Sequence, residues 1–255
     1  MDWMQGMASR TDYNQRPWIG SLVLVGLGAA AFPFDGPISR WAVSVGATLG
    51  GDLRRELEAF QQYGQFGCLV IVGVGLALLQ PWRARRLVDL GAAAGLTWIV
   101  TQAVKMLVGR PRPKFADPGI LLGPFGQYPV DARAGIRHAW EFWAPISSDL
   151  WSMPSSHTAF AVMLSVFLSA MAPRLRPLVV VLAAIVGMCR VLFGAHYLSD
   201  VLVGAGVGLV VSSLVVRHSA GVRGLDWIWK RVVDPGAAPA YPGLVAAEQA
   251  RLGGD

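Results

Sequence analysis

Six apolar stretches, at about 18–34, 63–80, 87–108, 155–172, 177–193 and 198–216, set the terms on which this chain can fold. Each is close to the ~17–25 residues that one helix needs to cross a bilayer. Composition agrees. Of 255 residues, 54% are hydrophobic and 15% charged, and the mean hydropathy is +0.46, too apolar for an ordinary soluble domain. The expected fold is therefore all-α: an integral membrane six-helix bundle, with residues 1–255 forming a single membrane-embedded domain.

Where the charges fall gives that bundle an orientation. The formal net charge of +6 is not read as a nucleic-acid footprint, because the arginines gather in the short links between apolar stretches. Arg83, Arg85 and Arg86 follow the second stretch, Arg174 and Arg176 the fourth, and Arg217, Arg223, Lys230 and Arg231 the sixth. The positive-inside rule puts these links, both termini and a tail of about 217–255 in the cytoplasm. The first stretch follows Arg10 and Arg16 and ends in Ala29-Ala30-Ala31, so a cleavable signal peptide is weighed against a retained helix. The helix is preferred, since an even number of spans fits the charge pattern.

Two long segments then face outward, about 35–62 and about 109–154. The first carries Arg54-Arg55-Glu56-Leu57-Glu58, which reads as a short surface helix. The second carries Trp140, Phe142, Trp143 and Trp151, an interfacial aromatic belt. Cys68 and Cys189 lie within apolar runs and read as small buried hydrophobes. His138 and His218 read as ordinary loop and interfacial residues, and the glycines of the sixth stretch as helix-packing positions.

Ionisable groups cost about 2.5–3.5 kcal/mol each at the centre of a membrane helix, so those that occur there tend to serve a function. Three clusters fall at the outer ends of the last four spans. Lys105 ends the third, and the turn through Pro111 and Pro113 brings Arg112 back toward it, so two cations face one anion. Pro154-Ser155-Ser156-His157 opens the fourth, where free helix N–H groups and the Ser155 hydroxyl form a phosphate seat. Arg190, His196 and Asp200 lie between the fifth and sixth. One helical turn from His196 to Asp200 lets the carboxylate hold one ring nitrogen and leave the other free.

These clusters resemble the signature of the type-2 phosphatidic acid phosphatase superfamily, K-x6-R-P, P-S-G-H and S-R-x5-H-x3-D, over residues of about 98–216. Ser156 stands in place of its glycine and Cys189 in place of its serine. The resemblance implies an outward-facing phosphate site in which His196 attacks phosphorus, Asp200 orients the ring and His157 is the acid and then the base. Lys105, Arg112, Ser155, Ser156 and Arg190 would hold the phosphate, with no metal and no other cofactor. It further implies a lipid phosphate substrate, membrane lipids as the surroundings, and a bacterial inner membrane with the site facing the periplasm. The alternatives are a lipid phosphotransferase using the same nucleophile and a lipid-phosphate binder or transporter without turnover. No oligomeric state is implied.

Overall fold

The computed structural model describes residues 17–131, 135–144 and 147–252; Arg10 and Arg16 lie outside the described residues. Six apolar helices make the bundle: α1 (Pro17–Ala31), α4 (Phe66–Leu79), α5 (Arg86–Val108), α6 (Ser156–Met171), α7 (Arg176–Leu192) and α8 (Leu198–His218). Prolines mark several of their boundaries, with Pro81 just beyond α4 and Pro173 just beyond α6. Among the described residues four helical stretches are long and apolar enough to cross a membrane unaided: Trp18–Thr48, Arg86–Val108, Pro173–Leu192 and Leu198–His218. A bent pair, Gly51–Gly64 with Phe66–Leu79 at 64°, supplies a fifth. The sixth, α6, has only 16 residues, and its buried face includes Ala159, Met163, Leu164 and Phe167.

Helix α8 is the centre of the bundle. In its apolar window 61% of residues are buried, against 22–33% for the other three long stretches, and it packs on α1, α5 and α6. Its contact with α6 is close because two glycines present bare backbone. A Cβ on Gly204 would stand 2.5 Å from the Ser155 carbonyl oxygen, and one on Gly208 would stand 2.2 Å from that of Ala159. A Gly208→Ala protein is expected to lose about 1–3 kcal/mol of stability, read as a lowered Tm in detergent, because neither backbone can give way. Below this contact Leu90, Met163, Phe167 and Val215 form the largest apolar core.

The segment of about 35–62, expected from the sequence to face outward, is largely helical, with α2 (Asp35–Thr48), α3 (Gly51–Phe60) and a 3-10 turn at Gln61–Gly64, and its first part continues the apolar stretch Trp18–Thr48. Helix α3 contains the Arg54–Glu58 motif, has no buried residue and carries an Arg54–Glu58 ion pair of 3.1 Å. The segment of about 109–154 adds a hairpin to the helical fold, β1 (Gln127–Asp131) and β2 (Gly135–His138), antiparallel with Tyr128 opposite Arg137. Tyr128, Val130, Ala139 and Leu150 give this segment its own small core. Trp140, Phe142 and Trp143 are exposed, whereas Trp151 turns inward and donates from Nε1 to the Ala139 carbonyl at 2.6 Å.

At the opposite end, the tail forms α9 (Ala220–Val232) and α10 (Ala240–Leu252). Arg86 forks onto Glu248 at 3.0 and 2.8 Å and also donates to Asp89 and Ser219. Asp89 accepts the first free N–H groups of α9, those of Gly221 and Val222. Arg86 thus holds the tail beneath the bundle as well as marking its basic end, and Arg85 adds a bond to the Ala240 carbonyl at 3.0 Å.

Candidate active site

The three clusters meet because of how the chain leaves α5. Gly109 closes that helix in the left-handed region, φ 58°, with its N–H on the Lys105 carbonyl at 2.9 Å. A side chain there would collide with Ala139, its Cβ 2.8 Å from that of Ala139. The chain then runs alongside residues 149–152: Arg112 N–H donates to the Asp149 carbonyl at 2.9 Å and Ser152 N–H to the Arg110 carbonyl at 3.0 Å. The second cluster is tied to the third by Ser155 N–H on the Asp200 carbonyl, 3.0 Å. At the end of α7 the N–H groups of Ala195 and His196 both return to the Arg190 carbonyl at 3.1 Å, which folds the His196 loop over Arg190.

All eight residues singled out in the sequence fall in this region. Lys105, Arg112, Arg190, His157 and His196 are near enough for their charges to act on one another. Each cation is held by neutral oxygen atoms. Lys105 Nζ donates to Ser156 Oγ at 2.5 Å, Arg112 Nε to the Ser148 carbonyl at 2.8 Å, and Arg190 Nη1 to Gln61 Oε1 at 2.8 Å. Among the described residues none of the three forms an ion pair with a carboxylate. Three neighbouring cations without a paired anion make a strong field for one.

Ser155 is the N-cap of α6 and is fully buried, its hydroxyl oxygen accepting from Thr158 Oγ1 at 3.0 Å. Ser156 is the first residue of the helix and is not among the described residues with positive φ, which besides glycines are Ala116 and Ser219. Serine therefore sits there without strain, and its hydroxyl contacts Lys105. Cys189 is completely buried in α7.

His196 lies in the loop before α8, 2% exposed. Its Nδ1 is 2.6 Å from the Ser152 carbonyl oxygen and 3.8 Å from Asp200 Oδ2. A carbonyl only accepts, so Nδ1 carries the proton and Nε2 keeps its lone pair. The sequence pointed to Asp200 as the direct holder of the ring; the nearer partner is the backbone of Ser152. Asp200 acts one step further out, its Oδ2 accepting from Ser152 Oγ at 2.5 Å and Tyr197 N–H at 2.8 Å, and its Oδ1 from Arg110 Nη1 at 2.6 Å. Burial pushes the His196 imidazole down to about 4, with Asp200 pulling the other way, so the ring is neutral at neutral pH.

Sequence reasoning missed Ser152, Arg110 and Asp35, and the two glutamines of the α3–α4 elbow. Gln61 meets Arg190, and Gln65 Nε2 lies 2.9 Å from His157 Nε2. Arg110 had a signal of its own, as the first arginine of Arg110-Pro111-Arg112-Pro113. The glutamines had none, since nothing in a polar pair near a surface helix points to a partner 92 or 129 residues away.

The chain resembles known proteins in sequence and in fold. The family model of the PAP2 superfamily matches residues 86–221, just over half of the chain and the part that holds the three clusters. The decaprenylphosphoryl-5-phosphoribose phosphatase of Mycobacterium tuberculosis is 31% identical over 155 residues, covering 61% of this chain and 73% of that protein. Two crystal structures share the fold. The transmembrane PAP2 type phosphatidylglycerolphosphate phosphatase of Bacillus subtilis superposes with a TM-score of 0.55 at 22% identity, covering 81% of this chain and 97% of that one. LpxE of Aquifex aeolicus gives 0.50 at 18% identity, covering 70% and 93%. With its Lys105–Arg112, Ser155–His157 and Arg190–Asp200 clusters gathered at one end of a membrane bundle, this chain belongs to the PAP2 superfamily.

Proposed function

We propose that this protein is a membrane lipid phosphatase that works through a phosphohistidine on His196. The observation that carries the reading is the bond from His196 Nδ1 to the Ser152 carbonyl, which leaves a neutral imidazole with one free nitrogen among three cations that lack carboxylate partners. That nitrogen attacks phosphorus, the bond to the leaving oxygen breaks, and the phosphoryl group passes to His196. Lys105, Arg112 and Arg190 hold the three equatorial oxygens, with the N–H groups at the start of α6 and the hydroxyl of Ser156 beside them. His157 gives its proton to the leaving oxygen, then takes one from the water that attacks the phosphohistidine, releasing inorganic phosphate and restoring both imidazoles. Because the cations supply the charge, the step needs no metal.

A lipid phosphate fits the position of the site. It lies at one end of the bundle, next to a segment whose Trp140, Phe142 and Trp143 are 41%, 61% and 64% exposed, the aromatic composition of a membrane interface. The relative from Mycobacterium tuberculosis is a decaprenylphosphoryl-5-phosphoribose phosphatase, and the structural neighbour from Bacillus subtilis a phosphatidylglycerolphosphate phosphatase. Both kinds of substrate belong in the candidate set, with phosphatidic acid, polyprenyl diphosphates and phosphorylated lipid A. The basic links and tail lie at the other end, which supports a periplasmic site in a bacterial inner membrane.

The test is phosphate release from a panel of these lipids by the purified protein in detergent, with and without EDTA. The expected result is release from at least one lipid, undiminished by EDTA. Binding of lipid phosphate without release would assign the protein to transport or scaffolding. Loss of activity in EDTA would replace the metal-free mechanism, and appearance of the phosphate on a second lipid would make the enzyme a transferase.

A further inference from the structure

Arg110 and Asp35 have no part in the chemistry set out above, yet both are 0% exposed and stand directly behind Asp200. The Arg110 guanidinium is divided between two carboxylates. Nη1 donates to Asp200 Oδ1 at 2.6 Å and to Ser199 Oγ at 2.7 Å; Nη2 donates to Asp35 Oδ2 at 2.8 Å and to the Pro118 carbonyl at 2.5 Å. The rings of Phe32 and Tyr197 lie 4.5 and 4.2 Å from its central carbon. Asp35, the first residue of α2, also accepts from the Ser199 N–H at 3.0 Å and from the Ser199 hydroxyl.

We propose that Asp35 and Arg110 are a positioning pair that sets how much negative charge Asp200 presents to His196, so that the reactivity of the nucleophile is fixed partly from the N-terminal helices. This rests on the phosphatase reading. A neutral side chain would cap the start of α8 without the desolvation cost of a second buried carboxylate. The charge itself is therefore what the position supplies. Shared between two anions, Arg110 leaves the cluster with one net negative charge. As Nε2 bonds to phosphorus the imidazole becomes cationic, and that charge stabilises it. With Asp35 neutral, Arg110 would answer Asp200 alone and the cluster beneath the ring would carry no net charge.

The other charged and titratable groups that act on His196 are Asp200 on α8, Arg190 on α7, His157 on α6 and Arg112 in the turn after α5, with Arg110 behind Asp200. Asp35→Asn alters none of them and nearly keeps the shape of the cap. It is expected to move the acid limb of phosphoenzyme formation down by about one pH unit and to slow that step about tenfold, with KM little changed. Arg110→Gln removes the opposite charge and moves the limb up. The double variant Asp35→Asn/Arg110→Gln restores the net charge and with it the wild-type limb.

The experiment measures single-turnover phosphoenzyme formation against pH for full-length wild type and the three variants on one substrate, so that the ionisation of the substrate cancels. Limb shifts of opposite sign in the single variants, restored in the double, establish the pair. A purely structural role predicts less folded protein with an unchanged limb, and that result overturns the inference while leaving the phosphatase reading intact. If one single variant does not fold, the other and the double decide by the same criterion. A wild type that forms no phosphoenzyme and releases no phosphate overturns the phosphatase reading itself.

Discussion

The His196→Ala protein is expected to release phosphate at least about 10⁴-fold more slowly than wild type, with no phosphoenzyme detectable after an acid-free quench. The loss is that large because no neighbouring group can take over the attack. His157 is held at Nε2 by Gln65, and Lys105 by Ser156. The fold should survive, since the ring contributes one hydrogen bond to a carbonyl that the chain path already fixes, and phosphate or vanadate should still bind to the three cations. Retention of full turnover in purified His196→Ala protein would transfer the nucleophile to another residue. A parallel loss of phosphate binding would mean that the site had collapsed instead of losing its nucleophile.

His157→Ala gives a different pattern. On an alkyl phosphate, whose leaving oxygen must be protonated, the rate should fall by about 10²–10⁴-fold. On an aryl phosphate with a good leaving group the first step needs no acid and should be nearly preserved, while hydrolysis of the phosphohistidine still lacks its base. Rapid-quench kinetics should then show a burst of one phenol per enzyme followed by slow turnover, with phosphoenzyme accumulating. Equal losses on both substrates and no burst would place His157 in substrate binding and leave the proton transfers to another group.

The helical spans were legible because each is an uninterrupted apolar run of nearly the right length. Helix α6, at 16 residues, falls within the apolar stretch of about 155–172, with Pro154-Ser155-Ser156-His157 at its start and Pro173 beyond its end. The hairpin at Gln127–His138 was not legible, as its residues alternate too briefly to separate from a loop. Around the site, residue types announced themselves when they were charged and close in sequence to one another. Asp35 lies 75 residues from Arg110, and Gln61 lies 129 from Arg190, so those pairings exist only once the bundle has formed. Asp200 does face the His196 ring, Oδ2 3.8 Å from Nδ1, but the shorter contact to the Ser152 carbonyl has no signal in sequence, for a local reason. The two residues straddle the start of α8, where the chain has not yet taken the helical turn that would align them.

The bond from His196 to a main-chain oxygen bears on how such an enzyme can drift over time. Any amino acid at position 152 offers the same carbonyl, so mutation there can retune the link to Asp200 without releasing the imidazole. The proposed nucleophile depends on the route of the chain from 149 to 152 beside 110 to 112. Insertions or deletions in the long segment between Gly109 and Ser155 that shift this pairing by one residue would therefore disarm the proposed site with every side chain of the three clusters still in place. Changes in this segment are expected to be tolerated in the hairpin and the aromatic edge so long as its two ends keep their register.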